Sequence, residues 1–376
     1  MMRRTIAAIL TLCILAGALA GCAGDRQALP AAEAETVTVT DHNGNTVTLP
    51  KRIDRIAVCD ILPLPSVLAV FFDRADKIVA MAPSSMTAAE NSLLSELYPE
   101  ILNADTSAMS GTEVNTEELM KLDPQVVFYN ASNAQIGETL KKAGFNAVAV
   151  SVNKWEYNAV ETLNQWLALL SEIFPEEAND RAALVREYSE KSMARVKERT
   201  EKLTDEERAR VFFLFQYSDS SIVTSGAKFF GQWWADSVGA VNVARELSEE
   251  NSVKVTLEQV YGWNPDTILM TNFNPYGPED LYGNTVGSYD WSGIDAVERR
   301  NVFKMPLGMY RSYTPGIDTP VTLLWMAKTV YPDLFGDVDI TKETVEYYET
   351  VFGVKLSEEQ AESIFSPAEN AGKTDF

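Results

Sequence analysis

The stretch PEEANDRAALVREYSEKSMARVKERTEKL, residues 175–203, decides the fold. After Pro175 it runs on without Gly or Pro. Pro175 suits a first helical position, and Glu176 and Glu177 place negative charge where a helix N-terminus favours it. Arg195, Lys197, Arg199 and Lys202 load the far end with cations, as the helix dipole prefers. Ala178, Ala182, Val185, Tyr188, Met193 and Val196 recur every three or four residues and give one narrow apolar stripe. The pattern predicts one long helix over 175–203, roughly 40 Å at about 1.5 Å per residue, packed on one side only. That is longer than one small lobe needs, so it reads as a rod joining two lobes.

The sequence on either side of the rod repeats. NTEELMKLDPQVVFY (115–129) and TLEQVYGWNPDTILM (256–270) align without gaps, each residue pairing with the one 141 further on. Both start on an N-cap residue, Asn115 or Thr256. Both place Glu118 or Gln259 three positions later, at capping-box spacing. A short helix then ends near a Pro, and an apolar β-run follows. Helix, Pro and buried strand, seen twice around a long helix, predict an α/β protein: two Rossmann-like α/β lobes joined by one long backbone helix, with a ligand cleft between the lobes if they face each other.

Outward from this frame, residues 1–21 read as a signal peptide. Arg3 and Arg4 precede a mainly apolar run, Ile6–Ala20, that is short for a membrane span. Leu19-Ala20-Gly21-Cys22 resembles a bacterial lipobox, which implies acyl chains such as palmitate on Cys22 and a body tethered outside the cytoplasm. Residues 22–35 read as a tether. The first lobe is expected over 36–174, the second over 204–365 and a frayed tail over 366–376. Thr36–Thr40 and Thr46–Leu49 alternate polar and apolar around Asn43-Gly44, the signature of a β-hairpin. His42, the only His of the chain, is expected to be exposed at its tip. Asn274–Tyr289 has no period and is expected to be a long loop.

Composition removes several functions. Of three Cys, Cys13 and Cys22 belong to the export signal, and Cys59 sits in an apolar strand-like run. A formal net charge of −22 disfavours nucleic acid and anionic lipid as partners. No Gly-rich phosphate loop, nucleophile elbow or metal-spaced His/Cys set occurs, and a lone His leaves little for acid–base or metal catalysis. The reading is a binding protein, not an enzyme, with no intrinsic cofactor and no metal site.

In open α/β sheets, ligands sit beyond the carboxyl ends of the strands. That rule selects Tyr129, Asn130, Tyr217, Trp233, Asn272, Phe273, Tyr310, Arg311 and Tyr313 as ligand-binding candidates. Rings and neutral hydrogen-bonding groups dominate, and cations are few.

The lipobox, Thr46–Pro50 before Arg55–Val58, Glu117–Val127 and the mid-chain helix together resemble the helical-backbone class of ABC-transporter substrate-binding proteins. That class includes receptors for ferric siderophores, haem and cobalamin. Leu323–Lys328 with Tyr331–Phe335 is similar to its iron-complex receptors. The resemblance implies a monomeric lipoprotein, on the membrane by its lipid alone. Such a protein captures a ferric siderophore or other metal chelate and delivers it to an ABC permease dimer with its ATPase. A corrinoid or haem receptor, or an exported ligand sensor without a transporter, are the alternatives. It also implies one permease-docking glutamate per lobe, Glu117 and Glu258. The capping-box positions occupy their neighbours Glu118 and Gln259, which leaves these two carboxylates available.

Overall fold

A computed structural model describes residues 35–110, 113–177, 180–367 and 372. The signal peptide, Cys22 and, of the expected tail 366–376, all residues except 366, 367 and 372 lie outside them. Strands β1 (Thr36–Thr40) and β2 (Thr46–Pro50) pair antiparallel, with Thr36 opposite Pro50. Alternation turns Val39 and Leu49 inward. The hairpin tip is pinned rather than free. Asp41 accepts the amides of Asn45 (2.8 Å) and Ala149 (3.2 Å), and His42 Nδ1 accepts the amide of Ser151 (3.0 Å). His42 is therefore half-buried, edge-on to Trp155, which corrects the exposed position expected from a turn. Burial and the nearby Lys154 lower its pKa to about 4, so it is neutral near pH 7.

The first lobe is built on β3 (Ile56–Val58), β4 (Ile78–Ala80), β7 (Val126–Asn130) and β8 (Ala147–Val150). They form one parallel sheet in the order β4-β3-β7-β8; β5 (Met109–Ser110) and β6 (Glu113–Val114) make a separate small ladder. Helices cover both faces, so these strands are almost wholly buried. The second lobe has β9 (Arg210–Ser218), β10 (Ser221–Ser225), β11 (Val241–Asn242), β12 (Ser252–Val255), β13 (Thr267–Met270) and β14 (Val302–Lys304). The order is β12-β10-β9-β13-β14, with β11 parallel to the start of β9. β9, β13 and β14 run parallel, as β3, β7 and β8 do; β10 and β12 add an antiparallel edge that periodicity did not reveal.

The repeat is structural. The helices Thr116–Lys121 and Leu257–Trp263 begin 141 residues apart, as do β7 and β13. Asp123 and Asn264, also equivalent, both take left-handed φ (45° and 42°) just before Pro124 and Pro265. The caps differ. Thr256 and Gln259 form the reciprocal capping box, whereas Asn115 accepts two amides and Glu118 pairs with Lys121 (2.7 Å) instead.

The long helix spans Arg181–Thr200, about 30 Å, shorter than the expected 175–203. Glu176 and Glu177 are drawn off by Lys51 (3.4 Å) and Lys77 (2.8 Å) of the first lobe, so the chain turns there instead of coiling. Its buried stripe is Val185, Ser189, Ser192, Val196 and Thr200, smaller and more polar than expected. Ser189 and Thr200 return their hydroxyls to the carbonyls four residues back, which leaves a slim face against the helix Thr319–Val330. The loop expected over 274–289 contains a helix, Pro278–Gly283. Pro278 opens it, and Asp280 accepts the Gly277 amide (2.9 Å).

The helices Ile340–Phe352 and Glu358–Ile364 lie within the range 204–365. They bury Tyr347, Tyr348, Val351, Phe352 and Ile364 in the core of the first lobe, with Leu64, Phe71 and Trp166. The helix Thr319–Val330 serves both cores, Val321 in one and Leu323, Leu324 and Met326 in the other.

Candidate functional site

The loops that follow the strands of the two lobes meet. After β4, the helix Pro83–Glu90 starts with Pro83 in its first turn and carries Ser84 and Ser85, both buried. After β14, the loop 308–318 brings in Arg311, which is fully buried. Arg311 Nη1 donates across the lobe boundary to Ser84 Oγ (3.0 Å) and Ser84 O (3.3 Å), and within its own loop to Tyr310 Oη (3.0 Å). The guanidinium also lies over the rings of Phe273 (5.1 Å) and Tyr310 (5.2 Å). One planar cation, two aromatic faces, a serine hydroxyl and the start of a helix converge on one point between the lobes.

Asp318 fixes that loop. Its Oδ2 accepts the Met309 amide (2.7 Å), and Tyr348 donates to its Oδ1. Gly308 (φ +62°) passes so close that an added Cβ would lie 2.2 Å from Asp318 Oδ2, so no other residue fits there. Burial pushes the Asp318 carboxyl up from 3.8 to about 6, against those two hydrogen bonds. A raised carboxyl pKa contributes stability that is complete below about pH 4 and lost as pH rises through about 6. Asp318→Asn mimics the protonated acid. In thermal melts it should match wild type near pH 4 and exceed it at pH 8, by up to about 3 kcal/mol. A less stable variant at pH 8 would show that the ionised carboxylate is the favourable form.

Beside Arg311, Lys304 at the end of β14 donates to Tyr276 O (2.6 Å) and Asn274 O (2.8 Å). Burial first, and Arg311 nearby, lower its pKa to about 7. A cavity of about 570 Å³ opens between the lobes, and its lining does not include Arg311 or Ser84. Trp155, Tyr157, Phe229 and Trp233 give it aromatic walls, and Asn153, Asn158 and Gln232 give it amides. Its charges are Glu156, Asp236 and Glu250 against Lys228, which Glu250 pairs at 2.7 Å. Tyr157 Oη donates to Asn251 Oδ1 (2.8 Å) across the boundary.

The selected residues divide. Phe273, Tyr310 and Arg311 stand together. Asn272 lies behind them, its amide donating to Met305 O (2.7 Å) and Pro306 O (3.0 Å). Tyr313 is buried among Phe213, Phe215, Phe229 and Phe230. Trp233 lines the cavity, while Trp234 is core and donates to Tyr313 O (2.9 Å). Tyr129 packs against Gly137, and the Asn130 amide is held by Asp60 (2.6 Å), within the first lobe. Tyr217 belongs to a separate cluster with Tyr276, Tyr289 and Trp291. Ser84, Lys304 and Tyr157 were not selected. Its position just past a strand end and Pro83 as a helix opener are the sequence signals that mark the first; nothing local marks the other two.

Glu117 and Glu258 are both exposed, at the second position of equivalent helices. The Glu258 carboxyl is held below its usual range by its own amide and by Thr256. Among the described residues, no group of three His, Cys, Asp or Glu is placed to hold a metal ion, and no helix is long and apolar enough to cross a membrane.

Residues 65–307 match the family described as Periplasmic binding protein. The molybdate-binding protein MolA of Haemophilus influenzae is 25% identical over 347 residues, 86% of this chain and 93% of that one. Its molybdate-bound structure superposes with a TM-score of 0.71 at 22% identity, over 85% of this chain and 99% of that one. A periplasmic solute binding protein from Veillonella parvula gives 0.75 at 28% identity, over 88% and 97%. Helicobacter pylori CeuE with bound Ni(II) gives 0.68 at 19%, over 88% and 99%.

Proposed function

The chain belongs to the periplasmic binding protein family, and we propose that the ligand it delivers is a small oxyanion. Members of this family are binding proteins rather than enzymes, work outside the cytoplasm and serve an ABC permease with its ATPase; this chain is a substrate-binding protein of such an importer. The observation that carries the ligand proposal is Arg311, a planar two-pronged donor between the lobes, beside Ser84 at a helix N-terminus. Guanidinium, hydroxyl and helix start all favour negative charge, and a guanidinium grips oxygen pairs bidentately. The relation to a molybdate-binding protein supports the same chemistry. A lipid on Cys22 and a monomeric state complete the proposal.

A ferric siderophore is the second reading. The 570 Å³ cavity, with its aromatic and amide walls, favours it. Three carboxylates against one lysine oppose a multiply anionic complex there and suit a neutral hydroxamate one.

Thermal melts with molybdate, tungstate, sulfate and a ferric hydroxamate separate the two. A ligand at a hundred times its Kd stabilises by about 2.7 kcal/mol, which a melt resolves. Molybdate and tungstate should raise Tm; a shift with the ferric hydroxamate alone would transfer the function to the second reading. Native mass spectrometry of protein taken from its host reads the bound species, the acyl mass at Cys22 and the monomer together.

A further inference from the structure

Four large hydrophobic side chains are exposed among the described residues: Leu102, Met120, Tyr261 and Leu334. Met120 and Tyr261 are equivalent, 141 residues apart in the two repeat units, and are 52% and 38% exposed. Leu102 and Leu334 fall outside both units. Each of the pair sits three positions after an exposed glutamate on the same helix, Met120 after Glu117 and Tyr261 after Glu258. On a helix that spacing puts both side chains on one face.

The residues just before them on these helices, Leu119 and Val260, are fully buried. The apolar residues at 120 and 261 are thus surplus to the core. Tyr261 is also held in place: its hydroxyl donates to Asp290 O (2.7 Å), and its ring lies 3.0 Å from where a Cβ on Gly293 would be. A side chain already ordered in the free protein loses little freedom when it is covered.

We infer that Met120 and Tyr261 are the apolar halves of two matching contacts, each a carboxylate with a hydrophobic side chain beside it, that seat this chain on a partner with two similar halves. The permease dimer of the importer is the partner of that symmetry, and each half would present a cation next to an apolar recess. The inference rests on the docking role that the family resemblance implies for Glu117 and Glu258, and adds to it a contact that salt does not screen. Charge guides approach and registers the partners, while buried apolar area at the centre of a contact slows release.

The test uses the full chain and its cognate permease–ATPase complex in nanodiscs. Met120→Gln and Tyr261→Gln should each weaken binding about fivefold, and the double variant about thirtyfold or more. The losses should persist at high salt, with Tm and ligand titration unchanged. Tyr261→Phe, which keeps the ring, should bind near wild type. Glu117→Gln and Glu258→Gln should instead lose most at low salt. Wild-type binding by the double apolar variant, alongside weak binding by the glutamate variants, would overturn the apolar contact and keep the docking role. Wild-type binding by all of them would remove both. A loss seen equally on empty nanodiscs would make the two residues lipid contacts, and a change in self-association would make them a contact between copies; either would overturn the inference.

Discussion

Arg311→Ala is expected to weaken ligand binding by about thirtyfold or more, the largest effect of any single substitution at the cleft. The side chain is fully buried, donates across the lobe boundary to Ser84, and is flanked by Phe273 and Tyr310. A charged group placed there interacts with an anion through a medium less polar than water, so its removal leaves the ligand's charge uncompensated. Arg311→Lys keeps the charge but loses the planar fork, and should retain part of the affinity. Fold stability should fall as well, because removal leaves the Ser84 and Tyr310 oxygens without their donor and opens a cavity. Calorimetric titration with molybdate, set beside thermal melts of the free variants, separates the two effects. Equal affinity for wild type and Arg311→Ala would move the site away from this loop.

Charge reversal at the paired glutamates carries the second large effect. Glu117→Arg or Glu258→Arg should cut uptake about tenfold or more, and the double variant should abolish it, while ligand binding stays at the wild-type level. Both residues are exposed, and neither contributes to a core. If these carboxylates dock the permease, reversal would replace attraction with repulsion there, and low salt should deepen the defect. A matching Arg→Glu change in the permease should relieve part of it. Uptake by the double variant at the wild-type rate would leave these carboxylates only their place at a helix N-terminus.

Much of the fold was legible because its signals are local. An N-cap, a Pro and a β-run fix a helix–strand unit wherever they occur, and two copies at a fixed spacing reveal two related lobes. The equivalent left-handed Asp123 and Asn264 show the likeness reaching single backbone angles. What stayed hidden depends on distant partners. His42 is half-covered and held by Ser151 and Trp155, and Glu176 and Glu177 are captured by lysines far back in the chain. The face of the long helix turned on small Ser189, Ser192 and Thr200, where periodicity favoured the larger Tyr188 and Met193. At the cleft, Arg311, its two aromatic neighbours and the start of the helix that carries Ser84 could be read from loop position, but Tyr157 could not, because what marks it is Asn251 of the opposite lobe.

The return of residues 340–364 to the first lobe has a consequence for how the chain folds. Leu64, Phe71 and Trp166 share a core with Tyr347, Phe352 and Ile364, so the two sides of one packing layer lie from 181 (166 to 347) to 300 (64 to 364) residues apart in the chain. Contacts so far apart close slowly, since the loop entropy must be overcome before the contact forms. A chain that emerges N-terminus first therefore cannot complete its first lobe until its last helices arrive, and the lobe encoded second can assemble before the one encoded first.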